Sequence, residues 1–132
     1  MAESLTGGLV VQALARVEGS SDWLRGGVVA YDRTVKHEVL GVTDDKVVSD
    51  QSARAMAAAT RRLLRADVAV AVTGVGGPDP QDGEPPGTVW IAVDSDGHQL
   101  AEVHCFAGDP NEVCRSALVT ALSALDEALV DS

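Results

Sequence analysis

The chain has 132 residues, enough for one domain with an ordinary core and no need of metal or disulfide staples. Its formal charge is −10, so a nucleic-acid coat or an anionic membrane surface is excluded as a general partner, while a small anion can still bind a locally positive pocket. Only 3% of the residues are aromatic although 45% are hydrophobic, and 20 Val, 19 Ala and 13 Gly dominate. Such a core favours helices packed closely on Val-rich strands and argues against aromatic base-stacking platforms. No apolar run approaches the length of a membrane span, and MAESLTGG has no basic n-region, so a cytoplasmic domain is expected. Cys105 and Cys114 make no disulfide framework, and His37, His98 and His104 have no ligand spacing, so no metal site is expected.

Residues 7–17 place Leu9, Val10, Ala13, Leu14 and Val17 on one helical face, with Thr6 as the expected N-cap. The run at 26–31 (GGVVAY) reads as a buried strand, and 34–40 as one or two helical turns. Residues 51–66 predict a helix capped by Ser49 or Asp50, with Ala53, Met56, Ala57, Thr60 and Leu64 on one face. VAVAV at 68–72 is too short for a helix and suits a central parallel strand. The Pro- and Gly-rich stretch 78–87 is expected to hold no regular structure. Residues 88–94 and 99–106 flank Asp96-Gly97, a hairpin signal. Asp109, Pro110 and Glu112 open the last helix as N-cap, N1 and the N3 member of a capping box. Its apolar stripe is Leu118, Ala121, Leu122, Leu125 and Leu129. No strand is expected before the first helix.

Two places combine residue types suited to chemistry. Glu3-Ser4-Leu5-Thr6-Gly7-Gly8 leads into a helix, and hydroxyls with free amides there can bind an anion or simply cap a turn. Thr73, Gly74, Gly76 and Gly77 follow a strand, where α/β proteins bind ligands, or form a tight strand-to-loop turn. Lys36 and Lys46 are the only lysines, and a lysine desolvated near a serine can act as a base. Ser20 and Ser21 read locally as turn residues, Tyr31 as a boundary residue, and Cys105 as a small buried hydrophobe. No strand leads into G-x-G-x-x-G with a later ribose acid, which argues against a dinucleotide oxidoreductase.

AESLTGGLV, GSSDWLRGGVVAY with Lys36 and LGV, VSDQSARAMA, ADVAVAVTGVGGPD and PPGTVWIAV occur in this order over nearly the whole chain. Together they resemble the CinA (competence/damage-inducible) C-terminal domain family. The resemblance implies one domain over residues 1–132, a three-layer α/β/α sandwich with a mixed, mostly parallel sheet, here lacking the family's first strand. It implies an amidohydrolase of the nicotinamide mononucleotide deamidase type, giving nicotinate mononucleotide and ammonia without cofactor or metal. By motif, Ser4 and Thr6 match the ES-x-TGG hydroxyls, Ser21 the GSS serine, and Tyr31 and Lys36 the Y-x-N-x-x-K segment. Thr73 and Gly74 match the TG-x-x-GP loop, and Arg115 a basic position early in the last helix. The implied mechanism is of the Ser–Lys type, with Ser21 favoured over Ser4 as nucleophile, Lys36 as base and Tyr31 as proton relay. Arg115, or Thr6, Gly7 and Gly8 at the helix N-terminus, would bind the phosphate. Arg33 stands where the family has Asn, so a non-catalytic nucleotide-binding module of the same fold is the alternative. A sheet position left open by a missing strand would favour a homodimer.

Overall fold

A computed structural model describes residues 1–96 and 98–130. In chain order it contains β1 (Ala2–Glu3), α1 (Leu9–Ala15), a 3-10 turn (Ser20–Asp22), β2 (Val28–Val29), α2 (Arg33–Glu38) and α3 (Asp50–Leu64). Then follow β3 (Val68–Gly74), β4 (Thr88–Ser95), β5 (His98–Cys105) and α4 (Pro110–Val130). The five strands form one sheet in the order β2-β1-β3-β4-β5.

The expectation of no strand before the first helix is corrected by β1. Ala2 and Glu3 are completely buried and pair in parallel with Val28 and Val29 on one side and Ala71 and Val72 on the other. Two residues carry too little periodicity to be read as a strand, yet they sit in the middle of the sheet. The sheet is mixed, with its parallel pairs confined to β1. β3 is central but runs antiparallel to β4, and β4 antiparallel to β5. The hairpin expected around Asp96-Gly97 itself requires this, because a short turn can only join antiparallel neighbours. Ser95 pairs with His98 across it, while Gly97 lies outside the described residues.

Alternation along the strands builds the two outer layers. Met1, Val70, Val72, Val89 and Ile91 pack with Val10 and Leu14 of α1 and Val113, Ala117 and Ala121 of α4. Ala2, Ala71 and Ala92 face the other way, against Ala53, Met56 and Ala57 of α3 and Leu40 and Val42 after α2. Alanine on this face lets α3 approach the sheet closely, which is where the high Ala content is used. The result is the expected α/β/α sandwich.

Several ends follow their caps. The Ser49 hydroxyl accepts from the Ser52 amide at 3.1 Å to start α3. At α4 the Glu112 amide donates to Asp109 Oδ1 at 2.9 Å and the Asp109 amide donates to Glu112 Oε1 at 3.1 Å, a complete capping box. Residues 78–87 depart from the expectation of irregularity: Gln81 and Glu84 form an antiparallel bridge, turned by Asp82 (φ 55°) and Gly83 (φ 77°). Cys105 is exposed rather than buried, because β5 is an edge strand. Among the described residues no helix is long and apolar enough to cross a membrane.

Candidate active site

The parallel strands β1, β2 and β3 deliver their carboxyl ends to one place. Glu3 is level with Val72, so the next residues, Ser4 and Thr73, stand side by side just where β1 ends. Side-chain alternation separates their roles. Glu3 turns toward α1, while Thr73, two residues beyond Ala71, turns toward α2 and α3.

Lys36, on α2, is buried there at 2% exposure. Its Nζ donates to Thr73 Oγ1 at 3.2 Å, and Thr73 Oγ1 in turn donates to the Val47 carbonyl at 2.8 Å. Burial lowers the ammonium's pKa to about 8, with Asp82 opposing and Arg33 reinforcing the shift. An amine with that pKa is a usable base near neutral pH. Ser4 is 4% exposed and Thr73 completely buried. The Lys36 amine contacts the Thr73 hydroxyl, and Ser4 lies next to Thr73 by the strand register without a hydrogen bond to the amine.

A second network closes the rim. Asp82 Oδ1 pairs with the Arg33 guanidinium, which also donates to the Asp45 carbonyl. Asp82 Oδ2 accepts from the amides of Val47 and Val48 at 2.8 and 3.2 Å. Burial pushes the Asp82 carboxyl up, but the Arg33 bond and the two amides outweigh it and hold it below the usual carboxylate range.

Ser21 is not part of this site. α1 starts at the carboxyl end of β1 and runs back over the sheet, so the turn at Ser20–Asp22 reaches the opposite end. There Asp22, Trp23 and Arg25 line a cavity of about 450 Å³ with Met1, Leu64 and Val68. The length of β3, about 20 Å at ~3.3 Å per residue, separates that cavity from Thr73. Ser21 is exposed, and the neighbouring Ser20 hydroxyl donates to the Ala15 carbonyl at 3.0 Å. The favoured Ser21–Lys36 pair is therefore corrected. Sequence order put Ser21 nearer Lys36 than Ser4 is, but the parallel crossover reverses that proximity.

The phosphate role of Thr6, Gly7 and Gly8 is corrected too. The buried Glu3 carboxylate already fills the N-terminus of α1. Its Oε1 accepts from Thr6 Oγ1 (2.6 Å) and the amides of Val10 (3.0 Å) and Gly8 (3.2 Å); Oε2 accepts from the Val11 amide (2.8 Å). The Gly7 and Leu9 amides bond the carbonyls of Ser4 and Thr6. Gly8 (φ 105°), not Thr6, is the N-cap residue. An internal anion thus satisfies the orphan donors and the helix dipole. Gly74 also has a packing reason: a Cβ there would stand 2.6 Å from the Thr88 carbonyl oxygen. Gly76, by contrast, faces open space.

Tyr31 follows β2 at the correct end but is 73% exposed, at the rim. Arg115 is exposed on the second turn of α4. That turn lies near the Ser4–Gly8 loop, since Cys114 Sγ donates to the Leu5 carbonyl at 3.2 Å. A larger cavity, about 1000 Å³, lies between the β4–β5 turn and the end of α4, away from Lys36. Chemistry, not volume, selects the Lys36–Thr73 site. Sequence reasoning missed Glu3 and Asp82 as working parts. The signal for Glu3 was a carboxylate just before a glycine-opened helix; for Asp82 it was an Asp-Gly turn following the strand-end loop.

The model of the CinA C-terminal domain family matches residues 1–129. The chain belongs to this family. A nicotinamide-nucleotide amidohydrolase, PncC, of Enterobacter agglomerans is 41% identical over 128 residues, covering 92% of this chain and 78% of that protein. A CinA-like protein of Geotalea uraniireducens is 39% identical over 132 residues, covering 96% of this chain. The chain spans 31% of the length of that CinA-like protein, and 29% of a similar relative from Bacillus velezensis. The crystal structure of the competence damage-inducible protein A (ComA) from Klebsiella pneumoniae superposes with TM-score 0.91 at 36% identity, covering 98% of this chain and 84% of that one. The CinA fold thus accounts for all the strands and helices described above.

Proposed function

We propose that the chain hydrolyses the carboxamide of nicotinamide mononucleotide, with Ser4 as nucleophile and Lys36 as base. The observation that carries this reading is the buried Lys36 amine, with a pKa near 8, bonded to Thr73 beside Ser4 at the strand ends. The relative named nicotinamide-nucleotide amidohydrolase supports the choice of substrate.

Neutral Lys36 takes the Ser4 proton as Oγ bonds to the carboxamide carbon. The resulting ammonium returns that proton to the amide nitrogen, and the C–N bond breaks to release ammonia and leave a Ser4 ester. Water then attacks the ester carbon, Lys36 accepts its proton, and the carboxylate leaves as Ser4 Oγ is reprotonated. The amide of Gly76, in the open turn after β3, is assigned to the oxyanion. Tyr31 at the rim is assigned to contact with the substrate rather than to proton relay.

Purified protein incubated with nicotinamide mononucleotide should release ammonia and nicotinate mononucleotide in equal amounts. No release by folded protein overturns the reading. Ser4→Ala should lower kcat about 10³-fold, while Ser21→Ala should stay within twofold; the reverse pattern would restore Ser21. Arg115 is assigned to the phosphate. Arg115→Ala should raise KM roughly tenfold, the worth of one charged hydrogen bond, with kcat nearly unchanged. An unchanged KM removes it from the binding site.

A further inference from the structure

We propose that Asp82 is a positioning residue for Lys36: paired with Arg33, it holds the Val47–Val48 amides so that the Val47 carbonyl takes the Thr73 proton. The inference rests on the functional reading above, and it concerns groups outside the Ser4–Lys36 pair.

A threonine hydroxyl has one proton to donate. Thr73 Oγ1 gives it to the Val47 carbonyl at 2.8 Å, so toward Lys36 it can only accept. Neutral Lys36 must therefore present an N–H to Thr73 and keep its lone pair for another group. Were the Val47 carbonyl free to turn, Thr73 could donate to the lysine instead and occupy the lone pair that a base needs. The Val47 peptide is fixed by Asp82 Oδ2, which accepts from both the Val47 and Val48 amides. Asp82 is fixed in turn by Arg33, whose guanidinium also donates to the Asp45 carbonyl. The chain of contacts is Arg33, Asp82, the Val47 peptide, Thr73, Lys36. It joins α2, the 44–48 loop, the 78–87 loop and β3 around one amine.

The same groups set the charge around Lys36. Asp82 from the 78–87 loop and Asp32 at the start of α2 favour its charged form, and Arg33 disfavours it. β3 offers only Thr73 here, and on β1 the Glu3 carboxylate is turned away toward α1. From the 44–48 loop, Asp44 is engaged by the Ser49 hydroxyl and Lys46 lies by Glu84. Arg33 and Asp82 are thus opposed charges beside one lysine, which makes their removal distinguishable from simple loss of packing.

The test uses the lysine ε-carbons, labelled with carbon-13 and titrated by NMR. With two lysines in the chain, Lys36 is read against exposed Lys46. Asp82→Asn should move the Lys36 midpoint down and Arg33→Gln should move it up, each by about half a unit to one unit, with the double variant returning toward wild type. The ascending limb of the rate against pH should move with each. Thr73→Ser should keep activity within severalfold and Thr73→Val should lose about 100-fold. Shifts of the same sign for both charge variants, an unmoved midpoint, or an active Thr73→Val overturns the proposal. Should Asp82→Asn fail to fold, the sign of the Arg33→Gln shift and the Thr73 pair decide. Absence of deamidation in wild type would count against the functional reading alone, because the NMR midpoints still test the positioning.

Discussion

Lys36→Met should abolish turnover, by about 10³-fold or more, while leaving the protein as stable at pH 7 as wild type or more so. Both halves come from one physical fact. Lys36 is buried, and burial disfavours the ammonium. As a neutral amine it is the proposed base for Ser4, and methionine offers no lone pair of comparable basicity. As an ammonium it costs folding free energy. Its pKa is about 8 in the folded chain against 10.5 ordinarily, so between those values the unfolded chain holds the extra proton. Stability therefore rises with pH from about 8 to 10.5, and below pH 8 the full cost is present, at most about 3 kcal/mol. Methionine fills similar volume without that cost, and the Thr73 hydroxyl keeps its bond to Val47. Urea unfolding at pH 7 and pH 10 checks this: any advantage of the variant should shrink at the higher pH. A variant several degrees less stable at pH 7 would make Lys36 structural. Full activity would remove it from the mechanism. The wild-type rate should rise with pH through about 8, as the amine loses its proton.

The elements with many residues were legible in the sequence, and the site geometry was legible only in part. α3, β3, the β4–β5 hairpin and the capping box of α4 each carry a local pattern several residues long. β1 has two residues, and its identity as a strand comes from its neighbours, the buried Ala71–Val72 on one side and, on the other, Val28–Val29, which is a half-exposed edge strand and not the buried one expected at 26–31. Without β1 there is no reason to bring Ser4 to Thr73, which is why the serine at the far end of the sheet was favoured. Lys36 was singled out from its scarcity and its motif, and it is buried against Thr73. Its partners, Thr73 and the Asp82–Val47 contacts, depend on three loops meeting, and no spacing rule encodes that. The anion site before α1 was also half legible. Two glycines, a hydroxyl and a helix start did mean an anion, but the anion is the chain's own Glu3. The Arg33 that departs from the family pattern is explained similarly, since Asp82 supplies its partner.

Glu3 is where the largest loss of stability is expected. Its carboxylate is completely buried and accepts four hydrogen bonds, from the Thr6 hydroxyl and the amides of Gly8, Val10 and Val11. The three amides belong to the cap and first turns of α1, so the charge also meets the positive end of the helix. Glu3→Gln keeps the shape but replaces one acceptor oxygen by an NH₂ group, which faces a donor. Losing charge-assisted bonds and gaining one donor–donor clash should cost about 2–4 kcal/mol. Glu3→Ala, with four donors stranded, should cost more. On a domain whose whole stability is of order 5–15 kcal/mol, the Gln variant should melt roughly 10 °C lower. A change under about 1 kcal/mol would mean that water reaches the turn and the carboxylate is dispensable. The Ala variant offers a sharper check, because it leaves a hole shaped for a carboxylate. Formate or acetate should raise its melting temperature with increasing concentration, following binding to the folded state alone, and should leave wild type unmoved. Equal effects on both proteins would be a general salt effect and would sink this account of Glu3. Specific rescue would show that the turn before α1 is built around a bound anion, one the chain carries beside its proposed nucleophile.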